Sequence, residues 1–366
     1  MDEKQLNQIV SFIPREVIEI CKRFKAQDLE CFIVGGAIRD LILGREVGDY
    51  DLATIATPDT VESMFDKTFD VGKEFGTITV VGPIYQAPAG KEPSLYQITT
   101  FRTETTYEQS RRPNDVTFIP SIQEDLSRRD FTMNAMALDP LIPAFIDPFD
   151  GFSDVQNHMI KAVGNPKERF QEDTLRIIRL FRFASVLEFE IDSECMEAVK
   201  TLSDSFPLPA MERVYDELSK LMASQKPHIG LQGMRDAGIF KRIFPSVPVP
   251  TDEQLALISA MSLDGRWALI LKDGDYSKVL TTLRFPRKEA HWIKRVIRYN
   301  LDILRARLSP QDLNISSEKL MGLGFTGKDL GKVQQYLLDE IASNPEHNTQ
   351  KKLLELASSF LPRGVT

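Results

Sequence analysis

FIVGGAIRDLILGREVGDYDLAT, residues 32–54, carries the deciding pattern of this chain. A hydrophobic run, residues 31–34, meets Gly35-Gly36, and the spacing then predicts a short helix over 37–43. After a loop come Asp49 and Asp51, with Tyr50 between them. On a strand, alternate side chains share a face, so the two aspartates are expected side by side. Two carboxylates on one rigid element suit hard divalent cations, which take oxygen ligands. Gly35-Gly36 allows backbone amides to approach a phosphate closely. A lone GG is a turn and a lone DxD is a solvated strand end. In this order, on an apolar strand–turn–helix–strand pattern, they point to metal-dependent phosphoryl or nucleotidyl transfer.

The surrounding chain is long enough for more than one domain. Its 366 residues, 42% hydrophobic and 27% charged, are ordinary for a globular protein. The formal net charge of −8 gives no bulk sign of nucleic-acid binding, for which a local basic surface is what counts. Cys21, Cys31 and Cys195 are widely spaced and form no metal or disulfide pattern, as expected for a cytoplasmic protein. The opening MDEKQLNQIV reads as neither signal nor transit peptide, and no run is apolar enough to span a membrane.

Outward from the opening stretch, residues 5–26 read as an amphipathic helix split near Pro14, with Ile9, Phe12, Val17, Ile18 and Cys21 as core. Thr57-Pro58 starts a helix to about Phe65. Residues 76–82 and 95–101 alternate as strands, 103–114 lack periodicity and read as a mobile loop, and 116–119 form a short strand. Ser121 and Glu124 open a helix expected to continue through DLSRRDFTMNAMA. From Asn165 the pattern is almost wholly helical, beginning with one helix over 166–187. Helices over 192–202, 210–223 and 228–238 follow, the second starting at Ala210 without a capping side chain. Residues 245–254, PSVPVPTDEQ, read as a linker.

Several further groups carry chemistry. Adjacent Arg128 and Arg129, then Asp130, are costly to bury without partners, and arginine forks suit triphosphate oxygens. Asp40 reads as structural, paired with a nearby cation. On a single 166–187 helix, Glu172, Asp173, Arg176 and Arg179 would share one face. Between residues 283 and 308, eight cations face only Glu289 and Asp302. Arg287, Lys288, Lys294, Arg295 and Arg298 among them, interleaved with His291, Trp292 and Tyr299, make a candidate RNA-backbone surface.

GGAIRD followed by DYDLAT resembles the signature of the nucleotidyltransferase superfamily that includes DNA polymerase beta. More narrowly it resembles class II tRNA nucleotidyltransferases and bacterial poly(A) polymerases. RRDFTMNAMA resembles that family's second motif, DPFDG with Asp147 and Gly151 its hinge motif, and the EDxxR of ERFQEDTLRIIRLFRFAS its nucleotide-selecting motif. The resemblance implies an α+β fold: a nucleotidyltransferase head with a small mixed sheet and flanking helices over 1–155. A helical neck over 156–246 and a helical body and tail over 247–366 would follow, the last binding tRNA. It implies Asp49 and Asp51 as catalytic ligands of a Mg²⁺ pair. Gly35, Gly36, Arg39, Arg128, Arg129, Asp130, Asn134 and Arg179 would hold the nucleotide. Asp173 and Arg176, with Glu172 orienting Arg176, would read the base edge of CTP or ATP. Arg213 and Glu217 would buttress that helix.

At the family's usual third carboxylate this chain has Gln97, an uncharged amide: either two aspartates suffice for the metal, or Glu92 or Glu104 substitutes, or the enzyme is slowed. Glu104, Glu108, Arg111 and Arg112 would form a flexible loop that switches the base preference. The implied activity is untemplated CCA addition to the 3′ end of tRNA. The alternatives are A-only or CC-only addition, a poly(A) polymerase, and a catalytically weakened RNA-binding protein. Oligomeric state is left open.

Overall fold

The computed structural model describes residues 1–82, 94–104, 116–300 and 308–360. The chain divides into two compact units, Met1–Pro245 and Ser246–Thr366. The first is mixed α+β and carries the sheet; the second is helical.

Strands β1 (Cys31–Val34), β2 (Asp51–Thr54), β3 (Thr68–Phe69), β4 (Thr77–Val81) and β5 (Leu95–Thr100) come first. Then β6 (Arg102–Glu104) and β7 (Val116–Phe118) pair as a separate antiparallel ribbon. Strands β8 (Ala137–Asp139) and β9 (Ala144–Ile146) complete a seven-stranded sheet in the order β3-β4-β5-β2-β1-β8-β9. Only β2 and β5 are parallel neighbours, so the sheet is mixed. β1 lies between two partners and is buried along its whole length, which is why it reads CFIV without alternation. Phe32, Val34, Ala53, Phe101, Leu126 and Ala137 pack into one core cluster beside it.

Register positions the site. Val34 of β1 faces Asp51 of β2 in the antiparallel pair, so the exit of β1 and the start of β2 lie at the same end of the sheet. Leu52 pairs with Ile98, which sets Gln97 beside Asp51. Val34 also pairs with Ala137, bringing the segment before β8 to that end.

Four expectations are corrected. The N-terminal helix is split at Pro14 into Glu3–Ser11 and Arg15–Lys25, but Phe12 is 63% exposed because it falls at the break; Ile13, Ile20 and Phe24 are core instead. The helix opened by Ser121 ends at Ser127, and Arg128 is its C-cap. A 3₁₀ turn, Thr132–Asn134, follows before β8, since DFTMNAMA must feed a strand. The helix over 166–187 is two, Pro166–Glu172 and Leu175–Leu187. Asp173 is extended between them, with its carboxylate accepting from Leu175 N at 3.0 Å, a local bond that competes with helix continuation. Finally, strand structure does not cease at Asn165: β10 (Met159–Ile160) pairs in parallel with β11 (Glu190–Ile191).

Helices Ser193–Leu202, Met211–Ala223, Pro227–Asp236 and Ile239–Ile243 complete the first unit. Met211–Ala223 buries Val214, Leu218 and Leu221, and its Glu217 reaches the Leu175–Leu187 helix. The segment read as a linker ends in a helix start, with Thr251 and Gln254 forming a reciprocal capping box. In the second unit, Leu320, Val333, Leu337 and Leu353 centre a core of their own. Among the described residues no helix is long and apolar enough to cross a membrane.

Candidate active site

A cleft of about 1060 Å³ opens at the sheet end where β1 exits and β2 begins. Eight arginines and five aspartates line it, so it is cationic overall, with acid concentrated at Asp49 and Asp51. Gly35 takes φ +74° to turn β1 into the helix Gly36–Ile42. A Cβ there would lie 3.1 Å from Arg129 Nη1, so the glycine also lets that guanidinium settle over the turn.

Asp49 precedes β2 and Asp51 is its first residue; both are exposed to the cleft, while Tyr50 between them is buried. The expected alternation therefore holds, although the strand begins two residues later. Surrounding protein raises the Asp51 carboxyl from its ordinary range; Arg129 opposes the rise and Asp49 adds to it. A carboxylate partly screened from water and beside a second one is relieved by a hard cation. Gln97 lines the same wall and pairs across the sheet with Thr79. The oxygen donors here are thus two carboxylates and an amide, which fit a divalent cation. Among the described residues no group of three or more His, Cys, Asp or Glu side chains gathers to hold one. Glu92 lies outside the described residues, and only the backbone of Glu104 is described.

Around these acids the arginines are held by a chain of bonds. Arg39 donates to Asp40 at 3.0 Å, the cation expected for that acid, and to Asn134 Oδ1 at 2.7 Å. Asn134 Nδ2 donates to Asp130 at 3.1 Å, and Arg179 reaches the other Asp130 oxygen at 2.6 Å. Arg179 and Arg182 both donate to Glu217, at 3.2 and 2.8 Å. Burial alone would raise the Asp130 carboxyl, but Arg179, Asn134 and Arg176 outweigh it and hold it well below the usual carboxylate range. Glu217 is held low in the same way, with Arg179 and Arg182 overcoming burial.

A second group forms around Asp125, which is 1% exposed. Arg128 donates to one of its oxygens at 2.8 Å and Arg129 to the other at 3.0 Å. Burial opposes ionisation there, and Arg129 and Arg128 prevail, holding the carboxyl low. Arg176, 7% exposed, donates to Glu172 at 2.6 Å, to Arg169 O at 3.0 Å and to Arg128 O at 2.9 Å. The anticipated Glu172–Arg176 pair is therefore present, but it spans the helix break instead of lying along one helix. Asp173 pairs with Arg213 at 2.8 Å.

All the nucleotide-site candidates expected from sequence come together here except Glu172, which touches the cleft only through Arg176. Asp125 and Phe183 are additions that sequence reasoning misses. The signal for Asp125 is an acid three and four residues before Arg128-Arg129 on a helix. Glu108, Arg111 and Arg112 of the switching loop lie outside the described residues. Asp147 accepts from Gly151 N and Phe152 N at 2.7 and 2.9 Å, fixing the DPFDG turn.

In the second unit, Arg287, Lys288, Lys294 and Arg298 are exposed on the helix Arg287–Arg298. Arg295 is committed inward: its guanidinium sits 5.7 Å from the Trp292 ring centre and donates to Leu308 O. Asp302, Arg305 and Arg307 lie outside the described residues.

Comparison with known proteins gives consistent results. The family model for the poly A polymerase head domain matches residues 31–161. A second, described as a probable RNA and SrmB-binding site of polymerase A, matches residues 188–249. The chain is 34% identical over 348 residues to a CCA-adding enzyme of Ligilactobacillus salivarius, covering 91% of this chain and 82% of that protein. It is 40% identical over 263 residues to a CCA-adding enzyme of Streptococcus suis, a stretch that is 70% of this chain and 62% of that protein. Among solved structures, the CCA-adding enzyme of Bacillus stearothermophilus in complex with CTP aligns with TM-score 0.67 and 29% identity, over 94% of this chain and 82% of that one.

Proposed function

This chain belongs to the family of CCA-adding enzymes, and from that premise we propose that it builds CCA at the 3′ end of tRNA from CTP and ATP, without a nucleic-acid template. One observation carries the reading. The antiparallel β1–β2 register places the Gly35 turn and the Asp49/Asp51 pair at one mouth, facing a cleft walled by arginines.

In this reading Asp49 and Asp51, with Gln97 alongside, hold Mg²⁺. Bound there, the cation would lower the barrier by neutralising phosphate charge and activating the acceptor oxygen. The acceptor 3′-hydroxyl gives up its proton to solvent and its oxygen bonds the α-phosphorus, while the bond from that phosphorus to the bridging oxygen of the β-phosphate breaks and pyrophosphate leaves. Arg128, Arg129 and the Gly35-Gly36 turn bind the triphosphate, so positioning and electrostatics supply the rate. Arg39 and Arg179, braced by Asn134 and Asp130, face the phosphates from the opposite wall, and Asp130 lies toward the ribose. Asp173 and Arg176 offer acceptor and donor groups to the base edge. Glu172 fixes Arg176, and Arg213 fixes Asp173. We assign residues 1–155 as head, 156–246 as neck, and 247–366 as body and tail, with the exposed cations of Arg287–Arg298 contacting tRNA backbone. The stretch read from sequence as a loop over 103–114, of which Glu104 ends β6, shifts the preference from CTP to ATP.

The reading is tested by supplying Mg²⁺ and each nucleotide separately to tRNAs ending before CCA, at C, and at CC. Two CTP additions, one ATP addition and a stop support it. Unlimited A addition to arbitrary RNA would make the chain a poly(A) polymerase. Binding of tRNA without incorporation would make it an RNA-binding protein.

A further inference from the structure

We infer that Phe183 is a positioning residue for the incoming nucleotide: its ring sets the spacing of Arg39, Arg179 and Arg182 in the cleft without touching the nucleotide. The inference rests on the proposed function for the identity of that ligand, a nucleoside triphosphate.

The ring is 4% exposed and packs edge-on against Phe131, with centres 5.7 Å apart. Three guanidinium carbons approach its centre: Arg182 at 3.4 Å, Arg39 at 5.2 Å and Arg179 at 5.3 Å. All three arginines and the ring line the cleft. Arg39 comes from the helix that follows β1, whereas Arg179 and Arg182 come from Leu175–Leu187. One side chain thus joins the cations of two elements.

Three guanidiniums gathered this closely repel one another. Their carboxylate partners, Asp40, Asp130 and Glu217, hold them at their outer ends. The aromatic face lies at their common centre, and its negative quadrupole attracts cations. Leucine would fill much of the same volume without that attraction, leaving the arginines to spread. An anion bridging them would then have to draw them together again, which weakens its binding. In the sequence nothing local marks Phe183, because nothing shows that Arg39 will meet it.

The test uses the full chain with the Phe183 ring replaced by its mono-, di- and trifluorinated forms, which keep shape while progressively removing the quadrupole. Equilibrium binding of CTP in Mg²⁺ is measured by calorimetry, with melting followed in parallel. The dissociation constant should rise step by step, to on the order of ten-fold in the trifluorinated protein, with the protein still folded at the temperature of the binding measurement. Phe183→Tyr should bind CTP like the parent and Phe183→Leu should bind on the order of ten-fold more weakly. A flat dissociation constant along the fluorinated series overturns the inference, as does parent-like CTP binding by Phe183→Leu. Since binding is read without tRNA, intact CTP binding with no transfer counts against the proposed function alone. Normal transfer with a flat series counts against Phe183 alone.

Discussion

In the proposed reading Asp51 and Asp173 stand at the two ends of the chemistry, metal and base edge. Asp51→Ala should lower nucleotide incorporation by at least about 10²–10³-fold, the range for removing a group that stabilises transition-state charge. A gel-based extension assay at several Mg²⁺ concentrations measures this, and near-parental activity would remove Asp51 from the centre. Asp173→Ala should act differently. It frees Arg213 and removes an acceptor at the base edge, so the ratio of CTP to ATP use should fall toward one while Mg²⁺ dependence is unchanged. Competition between the two labelled nucleotides reads that ratio, and an unaltered preference would sink the base-reading role. These residues are legible in the sequence because each sits in a short local pattern: GG with DYD, RRD, EDxxR. Glu217 is legible as a buttress of the Arg176 helix, but the arginines it meets are not. Its bridge to Arg179 and Arg182, 38 and 35 residues away, is created by folding. Phe183 is hidden for the same reason.

At the scale of elements, the strands around the site follow from alternation and glycine turns, whereas helix ends do not. Periodicity runs through Asp173 and through Arg128, yet both helices stop there. Local side-chain bonds and the demand of β8 for an extended chain override a 3.6-residue pattern. Two consequences are measurable. A Cβ on Gly151 would lie 2.2 Å from Thr132 O, so the turn after β9 and the 3₁₀ segment approach too closely for any side chain. Gly151→Ala should therefore cost about 1–3 kcal/mol by urea unfolding, the usual range for overpacking; an unchanged midpoint would argue against so close an approach.

The second consequence is acid lability. Asp130, Asp125 and Glu217 are all held below their ordinary range in the fold. Unfolded Asp and Glu titrate near pH 4, so the unfolded chain takes up protons first as pH falls. The stability from these pairs is complete above about pH 5 and is lost as pH drops below it. Asp130→Asn should flatten the fall in unfolding free energy between about pH 5 and pH 3, and a slope equal to the parent's would contradict the Asp130–Arg179 bond.

On the scale of the whole molecule, the cleft lies within Met1–Pro245, and the exposed cations of Arg287–Arg298 lie in Ser246–Thr366. In the proposed reading, nucleotide binding falls to the first unit and RNA-backbone contact by these cations to the second. Replacing Lys288 and Lys294 by Glu should weaken tRNA binding and lower the slope of its salt dependence by roughly one for each phosphate no longer neutralised. CTP affinity should not move. Filter binding over a salt series with calorimetry on CTP measures both, and unchanged tRNA affinity would place the RNA elsewhere.

That a single protein-walled site adds C, C and then A is tested by single-nucleotide extension of tRNAs ending before CCA, at C, and at CC, resolved by length. Two CTP additions are expected on the first, one on the second, and a single ATP addition on the third, with no growth beyond CCA. Extension by ATP alone on the first tRNA, or growth past CCA, would contradict a site of that kind.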